Sequence, residues 1–216
     1  MDISFPIPFV PDFHNLQLET AIGFALGVLF AVLFNAEGQA FMATCLGDRR
    51  EGATDRFHFN AFLHLDILGT LSFLLGGFGW PRQIDIDASK FEHRTLYAIL
   101  SRLSGPLANL LFAGIMTSII EIVMTLMALS PHIFWVVVAV NVTVAVYNLI
   151  PIPPLAAGTI WVELLPESMD NLKQWLKLAG PWVIVAILFY DRIFQVGIFS
   201  NYLNPLVVAL FNFIKG

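Results

Sequence analysis

Charged residues are scarce in this chain of 216 residues. They make up 12% of it, whereas soluble domains typically carry about 25%. Apolar residues make up 57%, and the mean hydropathy is +0.76. This composition excludes a water-exposed globule and predicts a membrane protein. The net charge of −5 excludes the basic surface of a nucleic-acid-binding protein, so no nucleic acid is expected as a partner.

Cysteine is nearly absent as well. With Cys45 as the single cysteine, the sequence excludes an internal disulfide framework and a zinc site made of four thiolates. The first twenty residues contain no Lys or Arg, so the charged start of a cleavable signal peptide is missing. We therefore expect the N-terminal segment to be retained.

Long apolar stretches fill most of the sequence. Five of them are near bilayer length and predict transmembrane helices, at residues 21–46, 103–129, 133–150, 172–190 and 193–214. The last helix is expected to bend at Pro205. The predicted fold class is an all-α polytopic membrane protein. Its predicted parts are an N-terminal interfacial segment, a membrane core and C-terminal helices, at residues 1–20, 21–160 and 161–216.

Shorter segments do not fit a full crossing. Residues 65–78 are apolar for about fourteen positions, roughly 21 Å of helix, which is less than a ~30 Å bilayer core. We therefore expect a re-entrant hairpin that enters and leaves the membrane on one side. Residues 80–92 alternate apolar and acidic side chains at positions 84–87, which favours a short strand. The N-terminal segment combines prolines with Phe5, Phe9 and Phe13, which is typical of an irregular segment at the interface.

Positive charges predict the orientation, because cytoplasmic loops carry an excess of Lys and Arg. Such residues flank the hairpin on both sides: Arg49, Arg50, Arg56, Arg82, Lys90 and Arg94. The hairpin is therefore expected on the cytoplasmic side and the N-terminus outside. Five crossings then leave Arg192 outside and place three lysines inside: Lys173, Lys177 and Lys215.

Five motifs follow one another along the predicted core. They are NAEGQ at 35–39, HLDILGT at 64–70, GGFGWPRQIDID at 76–87, SGPLANLL at 104–111 and NLIPIPPLAAG at 148–158. In this order and spacing the sequence resembles the compact prokaryotic site-2 proteases, which are intramembrane zinc metalloproteases. The resemblance runs from about residue 34 to 160. It implies a site-2-protease-like membrane core and a bacterial inner membrane as its location.

The positions that hold zinc in this family carry other residues here. Counting back from the GD pair at 47–48, the first His falls on Asn35, the Glu on Ala36 and the second His on Gln39. The zinc-binding Asp of the last motif falls on Ala156. Residues four apart still share one helix face, but carboxamides are weak zinc ligands and alanine is none. Ala36 also accepts no proton as a general base. The sequence therefore predicts a pseudoprotease with no zinc.

The polar groups that remain near this face are predicted to serve structure. Asn35 and Gln39 are expected to bond each other, Asn148 or the main chain. Glu37 lies about 100° round the helix from position 36 and faces elsewhere. A carboxylate at this depth is costly unless it is paired or wetted, so a polar partner or a wet cavity is expected.

Two other chemistries stay open. A displaced metal site would draw on polar residues near the same side, whose spacing matches no template: His58, His64, Asp66, His93 and Cys45. The resemblance implies that His64 and Asp66 instead tie loops of the hairpin by hydrogen bonds. A small ion or proton path would use Glu37 and Glu121, but no polar row joins them.

Backbone signatures persist where the catalytic groups do not. The prolines after the third helix prevent a helix and predict an extended segment. In the family such a segment lies beside the substrate, which implies a binding groove with these candidates: Asn35, Gln39, Asn148, Pro151, Pro153 and Pro154. Gly105 and Pro106 are predicted to break or bend the start of the second helix. Helix packing is predicted at Gly23, Gly27, Gly105 and Asn109.

We therefore expect a structural or binding role rather than an enzyme. The chain is predicted to be a scaffold subunit, assembly factor or regulator that packs against transmembrane helices of a larger complex. Its expected partners are membrane lipids and other transmembrane proteins. The only cofactor left open is a bound lipid or another apolar molecule. The alternatives are a metalloenzyme with a displaced site and a small ion path.

Overall fold

The computed structural model describes residues 6–12, 14–15, 17–49, 57–127 and 131–216. The expectations for Phe5, Phe13, Arg50 and Arg56 fall outside these residues.

Helices form the regular structure of the described chain. They are α1 (Leu18–Cys45), α2 (Ile67–Gly76), α3 (Arg94–Met127), α4 (His132–Tyr147), α5 (Ala156–Glu163), α6 (Asp170–Phe194) and α7 (Ser200–Lys215). Three stretches are long and apolar enough to cross a membrane, namely α1, most of α3, and α6 with the turn before it. Both α2 and α4 are shorter apolar helices. The prediction of an all-helical membrane protein is confirmed.

Glycines bring α1 and α4 together, side by side and in the same direction. Near their N-terminal ends, Thr20 Oγ1 lies 3.2 Å from His132 Nε2. Further along, a Cβ on Gly23 would lie 2.9 Å from a carbonyl oxygen of α4, and one on Gly27 would lie 3.0 Å from Val140 Cβ. The predicted pair of small residues therefore lies where these two backbones approach most closely.

Helix α3, which corresponds to the second predicted transmembrane helix, starts earlier than predicted. It begins at Arg94 rather than at position 103, and it runs through Gly105 and Pro106. The predicted break at these residues is wrong, because membrane helices tolerate proline where neighbouring helices and hydroxyl groups support the backbone. Just before the proline, the Ser104 hydroxyl lies 2.7 Å from a carbonyl oxygen of its own helix and 2.9 Å from a carbonyl oxygen of α1. Gly105 instead allows close packing, since a Cβ there would lie 2.7 Å from Asn35 Oδ1.

Residues 65–81 form a hairpin around α2, and its two ends return to one place. Leu65 and Pro81 form an isolated antiparallel bridge. Next to it, the backbone N–H of Arg82 donates to the carbonyl oxygen of His64 at 2.7 Å. The two ends of the hairpin therefore lie side by side.

Asp66 holds this hairpin together. Its Oδ1 caps α2 by accepting from the backbone N–H of Gly69 at 2.8 Å, and it also accepts from the Trp80 indole N–H at 3.0 Å. The carboxylate therefore joins the outgoing and returning arms, which is the loop-tying role that the resemblance implied for it.

The predicted strand within residues 80–92 is absent. Residues 82–87 have no regular secondary structure. A strand needs a neighbouring strand for its backbone groups, and here side chains take that place. Arg102 Nη1 donates to the Ile84 carbonyl oxygen at 2.9 Å, and the Asp87 N–H donates to Asp48 Oδ2 at 3.0 Å.

The last helix, α7, ends beside the start of α4. The Lys215 ammonium lies 5.8 Å from the ring centre of Trp135, in the first turn of α4. At the other end of α4, the Tyr147 hydroxyl donates to Asn204 Oδ1 at 2.7 Å. The two helices are therefore antiparallel. The prediction that Lys215 shares a side with Lys177 is wrong, because Lys177 lines a groove beyond the C-terminal end of α4.

Lys215 and Lys177 lie at opposite ends because α7 continues in the direction of α6. In the first half of α6, a Cβ on Gly180 would clash with the Pro153 carbonyl oxygen. Near its end, Arg192 Nη2 donates to the Pro11 carbonyl oxygen at 3.4 Å. The break at residues 195–199 therefore does not turn the chain back toward the side where α6 begins.

Candidate functional site

A chain of buried amides crosses the centre of the bundle. Gln39 Nε2 donates to Asn35 Oδ1 at 2.8 Å, and Asn35 Nδ2 donates to Asn109 Oδ1 at 2.8 Å. Asn109 Nδ2 donates in turn to Asn141 Oδ1 at 3.0 Å and to the Ala31 carbonyl oxygen at 2.9 Å. None of the four amide residues is more than 8% exposed. The chain therefore joins α1, α3 and α4 through neutral hydrogen bonds.

A buried guanidinium continues this network. Arg102 is 7% exposed, and its Nη1 donates to Gln39 Oε1 at 3.1 Å. Its Nε and Nη2 both reach Glu163 Oε1, at 3.3 and 3.0 Å. Arg102 therefore links α1 to α5, which begins at Ala156. The predicted bond between Gln39 and Asn35 is present, and the charge beside Gln39 is an addition that the sequence interpretation missed.

The residues at the four positions that form the zinc site in the resembled family do not fit zinc. The ligating atoms of Asn35 and Gln39 would be their carbonyl oxygens, and both oxygens already accept hydrogen bonds within the protein. Ala36 and Ala156 present no ligand atom at all. Within the described residues, no group of three or more His, Cys, Asp or Glu is placed to hold a metal ion. The donor set is that of a closed polar network.

Glu37 has the polar partner that its depth requires. Its Oε1 lies 3.0 Å from His64 Nε2 and accepts the backbone N–H groups of His58 at 3.0 Å and Phe59 at 3.2 Å. Glu37 and His64 are 6% and 4% exposed. The pair fastens the chain before α2 to the middle of α1, so these two residues serve the loop rather than the amide network.

The GD pair has a structural function in the described chain. Gly47 adopts φ +122°, a conformation that favours glycine. This places the buried Asp48 where its Oδ2 accepts the Asp87 N–H at 3.0 Å and its Oδ1 lies 3.7 Å from Lys90 Nζ. Asp48 thus positions the irregular segment that lies opposite Arg102.

Asn148 does not join the amide network, so of the expected partners of Asn35 and Gln39 it is their bond to each other that forms. Its Nδ2 donates to the Val144 carbonyl oxygen at 2.7 Å, and its Oδ1 accepts the Ala156 N–H at 3.0 Å. The side chain therefore spans the loop between α4 and α5. Both polar atoms are engaged with its own chain.

The loop after α4 consists of turns at residues 148–155, so the predicted extended segment is wrong. Proline fixes φ near −65°, which suits tight turns as well as extended chain, and Asn148 closes the loop on itself. Pro153 and Pro154 line a groove of about 310 Å³ with Ile84 and Arg102. Pro151 is exposed.

Arg102 and Asn141 are the site residues that the sequence interpretation missed. Both are single polar residues in apolar surroundings, which in a membrane protein indicates an internal partner. Arg102 was overlooked because the helix was expected to start after it. Asn141 was overlooked within the apolar run of α4.

Comparison with known proteins places this fold in a family. No protein-family model matches the sequence, and no solved structure matches it. The chain is 30% identical over 158 residues to "Putative zinc metalloprotease YwhC" of Bacillus subtilis (strain 168), an alignment that covers 69% of this chain and 72% of the relative. With this extent of identity and the motifs described above, the chain belongs to the site-2-protease-like family of membrane metalloproteases.

Proposed function

We propose that this protein is a catalytically inactive member of its family that binds transmembrane helices as a structural, assembly or regulatory subunit of a larger membrane complex. The observation that carries the first part is the donor set. Where a zinc metalloprotease, as the relative is named, needs ligands and a base, this chain has two engaged amides and two alanines. Activation of water therefore lacks both the ligands that would hold a metal and a proton acceptor at position 36.

The retained architecture supports a role in binding. Asp48, Asp66 and Asn148 still position the loops around the former active site. These contacts and the buried polar network hold the core in place without a metal. The surface of the core therefore keeps a defined shape to which another helix can bind.

Helix α6 is the proposed contact helix. Only 17% of its most apolar stretch is buried within the protein, against 39% for α1 and 28% for α3. Three large side chains of α6 are each more than half exposed, namely Trp175, Trp182 and Phe189. They are spaced seven residues apart, which places them on one face of the helix. Because helices associate in bilayers by packing, a face of large rigid side chains suits a partner helix. Lipid is the occupant elsewhere.

We place the protein in a bacterial inner membrane, with the hairpin on the cytoplasmic side and the N-terminus outside. The arginines and lysines that flank the hairpin support this orientation.

The test is isolation of the tagged chain from its native membranes in a gentle detergent. We expect one or more membrane proteins in fixed stoichiometry, lost when Trp175, Trp182 and Phe189 are replaced by alanine. Matched replacements of Leu111 and Ile115, which are exposed on α3, should retain them. A chain that elutes alone in every case would overturn the subunit role.

Inactivity has a separate test. The purified chain is incubated with a helical peptide substrate and buffered zinc. We expect no cleavage and no stoichiometric zinc. Specific cleavage that is abolished by a chelator would overturn the proposal, and its loss on replacing His64 would then indicate a displaced metal site.

A further inference from the structure

Arg102 carries a positive charge into contact with Gln39, one of the four positions at which the zinc-site residues of the family are replaced. We infer that its guanidinium excludes a metal ion from the former zinc site, so that restoring the four family residues alone does not restore metal binding. This inference rests on the proposed loss of the zinc site and is independent of any partner.

The geometry sets two like charges against each other. Arg102 Nη1 lies 3.1 Å from Gln39 Oε1, the side chain that stands where the second histidine ligand would be. Zinc lies about 2.0–2.1 Å from a histidine nitrogen, so an ion held by residue 39 would be a few ångströms from the guanidinium. Arginine keeps its charge at any accessible pH, and the surroundings are buried, so water screens the repulsion weakly.

The guanidinium also competes for the ligand atom itself. It is a donor only and coordinates no metal. A histidine at position 39 would offer it a ring nitrogen lone pair in place of the Gln39 oxygen. That lone pair is the one zinc requires, so a hydrogen bond from Arg102 removes it from coordination.

Arg102 is held in this place from the other side. Glu163 of α5 accepts from Nε and Nη2, and the Ile84 carbonyl oxygen accepts from Nη1 at 2.9 Å. The Glu163 side chain is 25% exposed, and its second oxygen is buried without a hydrogen-bond partner. Moving the guanidinium away would leave this partly buried carboxylate without its cation, which is unfavourable. The cation is therefore fixed beside position 39.

The experiment compares two sets of substitutions. The first restores the family residues with Asn35→His, Ala36→Glu, Gln39→His and Ala156→Asp. The second adds Arg102→Met with Glu163→Gln, so that removing the cation leaves no unpaired carboxylate. Purified proteins are equilibrated with buffered zinc, passed through a desalting column and assayed for zinc per chain by mass spectrometry.

We expect little zinc in the first protein and at least tenfold more in the second. Equal loading of the two proteins, whether high or low, would overturn the inference. Such a result would leave the proposed inactivity of the natural chain intact, because that proposal depends on Ala36 and Ala156. Zinc in the unaltered chain would overturn the proposed inactivity instead.

A lighter substitution covers the case in which the restored proteins do not fold. Gln39→His alone offers zinc one imidazole beside the guanidinium, and NMR of labelled histidine follows the ring signals as buffered zinc is added. With Arg102 present the ring signals should not move, and with Arg102→Met and Glu163→Gln added they should shift at a zinc concentration at least tenfold lower. The same response to zinc with and without Arg102 would contradict the inference.

Discussion

Asn109 is the residue at which three helices meet. It is fully buried on α3, and its amide contacts Asn35 and Ala31 on α1 and Asn141 on α4. Because the side chain is 0% exposed, it is shielded from the surroundings of the protein, and a lost bond there is costly. The specificity of the three-helix contact is therefore concentrated in one side chain whose oxygen and nitrogen are both used.

We predict that Asn109→Ala lowers the free energy of unfolding by about 1–2 kcal/mol, because it leaves the amide of Asn35 and the oxygen of Asn141 unpaired. Denaturant unfolding in detergent measures the change. Asn212→Ala, at an exposed position of α7, is the control and should be near neutral. Equal stability of Asn109→Ala and the unaltered chain would contradict the prediction.

At this scale the sequence predicted pairs that lie on one helix and missed those between helices. Asn35 and Gln39 are four residues apart, so helical geometry alone indicates that their amides can meet. Asn109 and Asn141 are brought together only by the packing of α3 on α4. Arg102 needs in addition the position of α5, which a linear pattern does not contain.

Among the elements, the segment that leads into the α2 hairpin is held to α1 by a single carboxylate. Glu37 accepts the backbone N–H groups of His58 and Phe59 and contacts His64. We predict that Glu37→Ala speeds hydrogen exchange of the His58 and Phe59 amides by about tenfold, the equivalent of one lost hydrogen bond. Mass spectrometry of deuterated peptides that cover residues 57–66 measures the rate.

Glu19→Ala is the matched control for this change, because Glu19 is an exposed carboxylate in the first turn of the same helix. Exchange at residues 57–66 should not respond to it. The same rate in both variants would show that the hairpin is held without Glu37.

The contact between α1 and α4 makes a prediction about glycine. Gly23→Ala would place a methyl group 2.9 Å from a carbonyl oxygen of α4, so the helices must separate. We expect the free energy of unfolding to fall by about 1–3 kcal/mol, as measured by thermal unfolding. Gly114→Ala on α3 meets no atom within 4 Å and should be neutral or slightly stabilising, because alanine favours the helix. A similar effect at both sites would refute the close contact.

Helices were predictable as elements, and their ends were not. Apolar length indicates where a helix crosses, but Gly105 and Pro106 were given too much weight as breakers, although the packing of α1 on α3 supports them. The alternation at 84–87 resembled a strand because apolar and acidic side chains do alternate there. The partner strand was missing, and side chains of Arg102 and Asp48 took its hydrogen bonds.

At the scale of the whole molecule, two lysines that the positive-charge count placed on one side of the membrane lie at opposite ends of the bundle. Lys215 lies beside Trp135 and the start of α1, whereas Lys177 lies at the other end of the bundle. We predict that Lys215→Cys and Lys177→Cys react with a membrane-impermeant maleimide from opposite sides of the membrane. Both are made in a Cys45→Ser background, because the native cysteine is free and exposed.

Lys173→Cys is the companion variant and should label from the same side as Lys177→Cys. Labelling of Lys215→Cys from that side would mean that α7 returns across the membrane, as the charge count implied. The overall count was misleading because it treats each apolar stretch as a reversal, and the break at 195–199 does not reverse the chain.

The central amide network is built entirely from side chains of the protein itself. Carboxamides do not ionise, and these bond one another without a cation between them. If the proposed loss of the zinc site holds, a cell starved of zinc should accumulate as much of the folded chain as a replete one.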